Sequence, residues 1–173
     1  MVRSSRSEYE PFDYVIVGAG TAGCVLANRL SSDPRNRVLL IEAGGEDSYP
    51  WIHIPVGYLY CIGNPRTDWR YIAEPEPALD GRSMPYPRGL GLGGTSSING
   101  MIYTRGQAAD YDAWHDAGCL GWGWEDVLPY FRRSEASDRP ADRFHSRDGE
   151  LHVSRQRVSW PFYEPLMTAC EQV

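Results

Sequence analysis

The stretch FDYVIVGAGTAGCVLANRL, Phe12–Leu30, decides the fold. Its first part, Phe12–Val17, is a short apolar run rich in β-branched residues that ends at a glycine, the pattern of a buried parallel strand. From Thr21 the apolar residues Ala22, Val25, Leu26, Ala27 and Leu30 recur at helical spacing, and Ser31–Pro34 stops them. Between strand and helix stand Gly18, Gly20 and Gly23 in a GxGxxG arrangement. In such a turn the first glycine permits the tight bend, the second lets backbone approach a diphosphate, and the third lets helix and strand pack closely. Arg37–Gly44 reads as a second buried strand, completing a βαβ unit. Glu42 closes that strand about 20 residues past the glycines, where a carboxylate accepts hydrogen bonds from an adenosine ribose. The expectation is dinucleotide binding. The acid disfavours the 2′-phosphate of NADP and leaves NAD and FAD open, since both present the same AMP half.

The rest of the composition narrows the class. With 173 residues the chain is long enough for a domain with a core. It carries 17 basic and 23 acidic side chains for a net charge of -6, without charged blocks, which argues against nucleic acid as a partner. Its longest apolar runs are a few residues, whereas a membrane-spanning helix needs about 20. The opening MVRSSRSEYEP lacks an apolar leader core, so a cytoplasmic address is expected. Cys24, Cys61, Cys119 and Cys170 are too scattered for a zinc site or disulfide framework and read as buried free thiols. His53, His115, His145 and His152 form no metal-binding spacing.

After Gly44 the alternation of strand and helix fails. Residues 45–93 are rich in Pro, Gly and aromatics and read as a long surface excursion with at most a short strand or helix. Thr95–Ile102 reads as the first turns of a helix starting at Gly93–Gly94. Gln107–Gly118 and Trp124–Glu135 read as amphipathic helices, the second with acids first and arginines last as the helix dipole prefers. The tryptophans Trp114, Trp122 and Trp124 are expected to pack between these two helices. Ser146–Val153 reads as a turn and strand, and Trp160–Val173 as a helix without a stop signal, so the chain is expected to be part of something longer.

The second glycine-rich segment, RGLGLGGTSSINGMIYTRG at Arg88–Gly106, resembles the signature of the GMC (glucose–methanol–choline) oxidoreductases, FAD-dependent alcohol oxidases and dehydrogenases. DYVIVGAGTAGCVLANRLS, VLLIEAG, DWRY, PRG, GQAADYDAW and GWGWEDVLPYF resemble further landmarks in family order, over about Tyr9 to Val153. The likeness is greatest to choline dehydrogenase-like and related alcohol dehydrogenases. It implies an α/β fold: a Rossmann-like FAD-binding βαβ domain over residues 9–106, and over residues 107–173 a helical segment opening a second, substrate or cap domain.

The resemblance implies that two loops hold one FAD. Gly18, Gly20, Thr21, Ala22 and Gly23 would meet the diphosphate, Glu42 the ribose and Ala43 the adenine side. Gly94, Asn99, Gly100, Met101 and Ile102 would line the isoalloxazine and ribityl chain, with Trp69 and Gly89 as supports. The sequence departs from the family pattern twice. Some members attach flavin through a His where Ile98 stands, so the FAD is expected to be non-covalent, and Leu90 stands where a basic residue is usual. The implied reaction is hydride transfer from a small alcohol to flavin N5, with electrons passed to oxygen or a quinone-like acceptor. The proton-accepting His of the family lies in a part of the longer protein that this sequence does not match, and no histidine here is assigned that role. The alternatives are an NAD-dependent dehydrogenase and a truncated, non-catalytic nucleotide-binding module.

Overall fold

The computed structural model describes residues 11–172; the opening through Glu10, with the expected domain start at residue 9, and Val173 of the terminal helix lie outside the described residues. The described residues fall into two compact units, one ending at Ile102 and one starting at Tyr103.

The first unit is built on β1 (Tyr14–Val17), α1 (Thr21–Ser31) and β2 (Val38–Ile41). β1 and β2 pair in parallel, Tyr14 with Val38 through Val17 with Ile41. The Gly18 N–H extends the ladder to the Ile41 carbonyl at 2.7 Å. The strands were expected to be buried, and they are not: Ile16 is buried against α1, whereas Val15 and Val17 are exposed, Val17 by 83%. Alternate residues of a strand face opposite sides, and α1 covers one side only. Val25 and Leu26 of α1 are exposed as well.

The long excursion after β2 is more ordered than its sequence suggests. Two 3-10 turns, Pro50–His53 and Pro55–Gly57, each begin at a proline, whose fixed φ suits a helix start. They lead into the short α2 (Tyr58–Cys61), and Trp51 stacks on Tyr60 at 4.2 Å. β3 (Tyr71–Ile72) and β4 (Pro85–Tyr86) then form an antiparallel pair.

The helix expected from Thr95 does not form. A single 3-10 turn spans Gly94–Ser97 and Met101 adopts a left-handed φ of 59°. Side chains compete for the backbone there. The Ser96 and Ser97 hydroxyls donate to the carbonyls of Gly93 (2.7 Å) and Leu92 (2.8 Å), and Asn99 Oδ1 accepts from the Met101 N–H at 2.8 Å.

In the second unit α3 (Ala108–Asp116) and α4 (Trp124–Ser134) pack around Tyr111, which meets Trp114, Trp124 and Phe131 at ring separations of 5.5, 5.5 and 5.6 Å. Trp124 is half-buried, while Trp114 and Trp122 keep about half their surface exposed. Glu125 and Asp126 open α4 and Arg132 and Arg133 close it, as the dipole favours. The helix stops one residue earlier than expected, because Glu135 begins β5 (Glu135–Ser137), which pairs in parallel with β6 (Leu151–Val153). α5 (Tyr163–Glu171) follows.

Glu135 is only 1% exposed and forms an ion pair with Arg105; it also accepts from His145 Nδ1 at 2.9 Å. The thiols are free, but only Cys61 is buried; Cys24, Cys119 and Cys170 are exposed, contrary to expectation. Removing the carboxylate strands the Arg105 charge, so Glu135→Ala is expected to cost about 3–5 kcal/mol. Arg143→Ala, which breaks an exposed 2.9 Å pair with Glu125, should change stability by less than about 1 kcal/mol. Denaturant midpoints of the two variants check this, and equal effects would contradict it.

Candidate nucleotide-binding site

The first glycine turn has the geometry its sequence calls for. Gly18 takes a φ of 97°, open to glycine and strained for other residues. Gly23 is the packing glycine: a Cβ there would lie 1.9 Å from the Gly18 carbonyl oxygen. α1 is capped at Gly20 by no side chain and has no acid in its first turn. Its free N–H groups and positive dipole end are therefore left for an anion. A Cβ at Gly18 would meet nothing within 4 Å, so the space over the turn is open. An uncapped 11-residue helix beside an open glycine cradle fits a diphosphate.

The second glycine segment packs directly on the first. The Gly93 N–H donates to the Ala19 carbonyl at 2.8 Å, and Gly20 and Gly93 form a parallel bridge. A Cβ on Gly94 would stand 2.9 Å from Gly20 Cα, so this approach needs glycine. Gly91, with a φ of 133°, is buried against Gly45, and a Cβ on Gly44 would come within 2.3 Å of the Gly91 nitrogen.

Glu42 ties these segments together. Its Oε2 accepts from the Ala19 N–H at 2.7 Å, and its Oε1 from Gly44 at 2.9 Å and Gly91 at 3.2 Å. The Gly44 bond leads in holding the carboxyl below its usual range, with those of Ala19 and Gly91 added against the opposing effect of burial. An ionised carboxylate offers about four acceptor positions. Backbone N–H groups of Ala19, Gly44 and Gly91 take three of these, and Ala43 adds a smaller interaction.

The structure brings Gly18, Gly20, Thr21, Ala22, Gly23, Glu42, Ala43, Gly89 and Gly94 to this junction. Asn99, Gly100, Met101 and Ile102 continue from it as an exposed segment, with Ile102 among the most exposed side chains. Ile98 turns inward and is 2% exposed. Trp69 stacks parallel on Tyr71 at 5.9 Å, and its N–H donates to the Arg88 carbonyl at 2.9 Å.

Sequence reasoning missed Asp68. It is 2% exposed, and its oxygens accept from the backbone N–H groups of Gly63 (2.7 Å), Arg70 (2.8 Å) and Arg88 (3.0 Å). Burial pushes its pKa up, but the three donors and the Arg70 charge outweigh it and hold the carboxyl below the usual range. The available signal was local: Asp with an N–H two residues on is a turn device.

A strand–glycine turn–helix–strand unit with an acid at the second strand's end defines a dinucleotide-binding protein of the Rossmann-like class. The chain belongs to the GMC oxidoreductase family, whose match spans residues 12–173 and whose cofactor is FAD. It is 46% identical over 160 residues to the oxygen-dependent choline dehydrogenase of Sinorhizobium fredii (strain NBRC 101917 / NGR234), covering 92% of this chain and 29% of that protein. It is 41% identical over 170 residues to the mitochondrial choline dehydrogenase of Mus musculus, covering 94% of this chain and 28% of that one. The crystal structure of pyridoxine 4-oxidase from Mesorbium loti superposes with a TM-score of 0.80 at 39% identity, over 94% of this chain and 32% of that one. The chain thus spans under a third of the length of the relatives it matches. Among the described residues no helix is long and apolar enough to cross a membrane.

The Glu42 pKa sets a pH dependence. A carboxyl lowered in the folded state stabilises it fully above the unfolded pKa, near 4.5, and that contribution is lost as pH falls through the lower folded value. Urea midpoints taken downward from pH 5 should fall less steeply in Glu42→Gln than in the parent. Parallel acid limbs would show that the carboxylate holds nothing.

Proposed function

We propose that the protein bearing this chain is an FAD-dependent oxidoreductase that oxidises a small alcohol, and that this chain supplies the grip on the cofactor. The observation that carries the reading is the backbone junction of the two glycine segments beside the uncapped start of α1. In this reading the N–H groups of Thr21 and Ala22 take the diphosphate, close to Gly18, Gly20 and Gly23. Glu42 accepts from a ribose hydroxyl, and Ala43 borders the adenine. Gly94, Asn99, Gly100, Met101 and Ile102 line the isoalloxazine and ribityl chain. The exposed apolar side chains of Met101 and Ile102 suit a flat ring and would shield it from water. Trp69 and Gly89 support that segment from behind.

When bound, FAD supplies the hydride acceptor; the protein binds, orients and excludes solvent. The named substrates of the similar proteins, choline and pyridoxine, are both alcohols, which supports a small alcohol here. The relatives named oxygen-dependent support oxygen as one acceptor, with a quinone-like acceptor as the other. Residues 107–173, which lie in the unit starting at Tyr103, are read as the beginning of a substrate domain.

Ile98 is an alkyl group with no nitrogen to bond flavin, which supports non-covalent attachment. The full-length protein is expected to purify yellow, with flavin absorbance, and to leave all of its colour in solution after acid precipitation. A colourless protein that binds NAD instead would overturn the flavin reading. A yellow pellet would overturn only the non-covalent attachment.

A further inference from the structure

We infer that Asp68 is a positioning residue for the flavin-side loop, setting where Gly94 and Thr95 stand against the first glycine turn. This rests on the FAD reading above and concerns how one half of the cofactor is held.

The route is a short series of contacts. Asp68 Oδ1 takes the Arg88 N–H at 3.0 Å and the Arg70 N–H at 2.8 Å, and Oδ2 takes the Gly63 N–H at 2.7 Å. These bonds hold Arg70 at a left-handed φ of 56°, a conformation that a residue with a side chain keeps only when its surroundings impose it. On either side the backbone pairs across: the Trp69 N–H donates to the Arg88 carbonyl, and the Leu90 N–H to the Thr67 carbonyl, both at 2.9 Å. Asp68 and Gly89 thus form an antiparallel bridge.

Gly89 passes the constraint on. A Cβ there would lie 2.0 Å from the Gly94 carbonyl oxygen and 2.6 Å from the Thr95 nitrogen, so its backbone is seated directly on the turn. Its N–H donates to Thr95 Oγ1 at 3.2 Å. That turn is the one whose Gly94 approaches Gly20. All three donors to Asp68 lie outside the first glycine turn, unlike those of Glu42, which include Ala19. A buried carboxylate so placed bonds directly to the segments that seat the second loop and to nothing in the first turn.

The consequence is a split between the two halves of the cofactor. In the full-length flavoprotein stripped of FAD, Asp68→Asn keeps one acceptor oxygen and turns an NH2 toward backbone donors. FAD binding should weaken roughly tenfold. Binding of ADP, which needs only the first turn and Glu42, should stay within about twofold of the parent, since Asp68 itself makes no bond to that turn. The visible bands of the reconstituted variant should shift toward those of free flavin. Thr95→Ala removes only the last relay bond and should show the same split with a smaller loss; it carries the test if Asp68→Asn does not fold. Equal losses for FAD and ADP in the variant tested, or no loss for either, would overturn the inference. A parent protein that binds no FAD would instead sink the functional reading on which it rests.

Discussion

The fold of the first unit depends on one carboxylate receiving backbone N–H groups from three separate stretches of chain. Glu42 stands at the end of β2, yet its bonds reach back to Ala19 in the first glycine turn and forward to Gly91 in the second. A hydrogen bond to a charged group contributes about 1.5–3 kcal/mol, and the half-buried setting places these bonds toward the lower end. A two-stranded parallel pair is marginal by itself, and here it is braced by the loop that crosses its end. The residue expected to read a ribose is thus first an anchor for the surface that the ribose would meet. The two roles are compatible because a carboxylate oxygen can share its lone pairs between a backbone N–H and a hydroxyl.

The same physical device recurs at Asp68, and a contrasting one at Glu135. Glu42 and Asp68 are satisfied by backbone amides, which are already fixed by the path of the chain. Their charges therefore lie among dipoles that need no side-chain ordering. Glu135 is answered instead by Arg105 and His145, whose side chains must themselves be held. Arg105 achieves this through the Phe144 carbonyl, at 2.6 Å, and by lying over the Phe131 ring at 5.2 Å. A buried ion pair of this kind adds little to net stability, but losing one partner is costly. It pins the junction between α4 and β5, where Gly149 approaches so closely that a Cβ would come within 2.3 Å of Ser134.

What could be read from sequence follows from the range of each interaction. The βαβ unit was legible because periodicity, glycine spacing and the closing acid are local patterns within Phe12–Glu42. The amphipathic helices were legible for the same reason, and so was β6. Glu42's bonds to Gly91, and those of Asp68 to Arg88, join residues far apart in the chain and leave no periodic trace. β5 was hidden because Glu135 continues the polar pattern of α4, and it is the pairing with Leu151, distant in the chain, that makes it a strand residue. The helix expected after Gly94 failed for a local reason of another kind: Ser96, Ser97 and Asn99 turn their side chains onto the backbone, and the α-helical ladder is never built. The strands' exposed face could not be foreseen, because an apolar run records what a strand is suited to cover, not what covers it.

The contact between the two loops is made almost wholly by main chain. Gly93 meets Ala19 through N–H and carbonyl, Gly94 meets Gly20 through bare Cα atoms, and Gly91 meets Glu42 through its N–H. None of these bonds uses the side chain at position 90. Leu90 contributes its own N–H to Thr67 and needs no charge to do so. Gly91 beside it takes a φ of 133° with its Cα hydrogens against Gly45, a place that no basic side chain could fill without moving the backbone. The junction therefore constrains where glycine must stand, and makes no hydrogen bond through the side chain of Leu90.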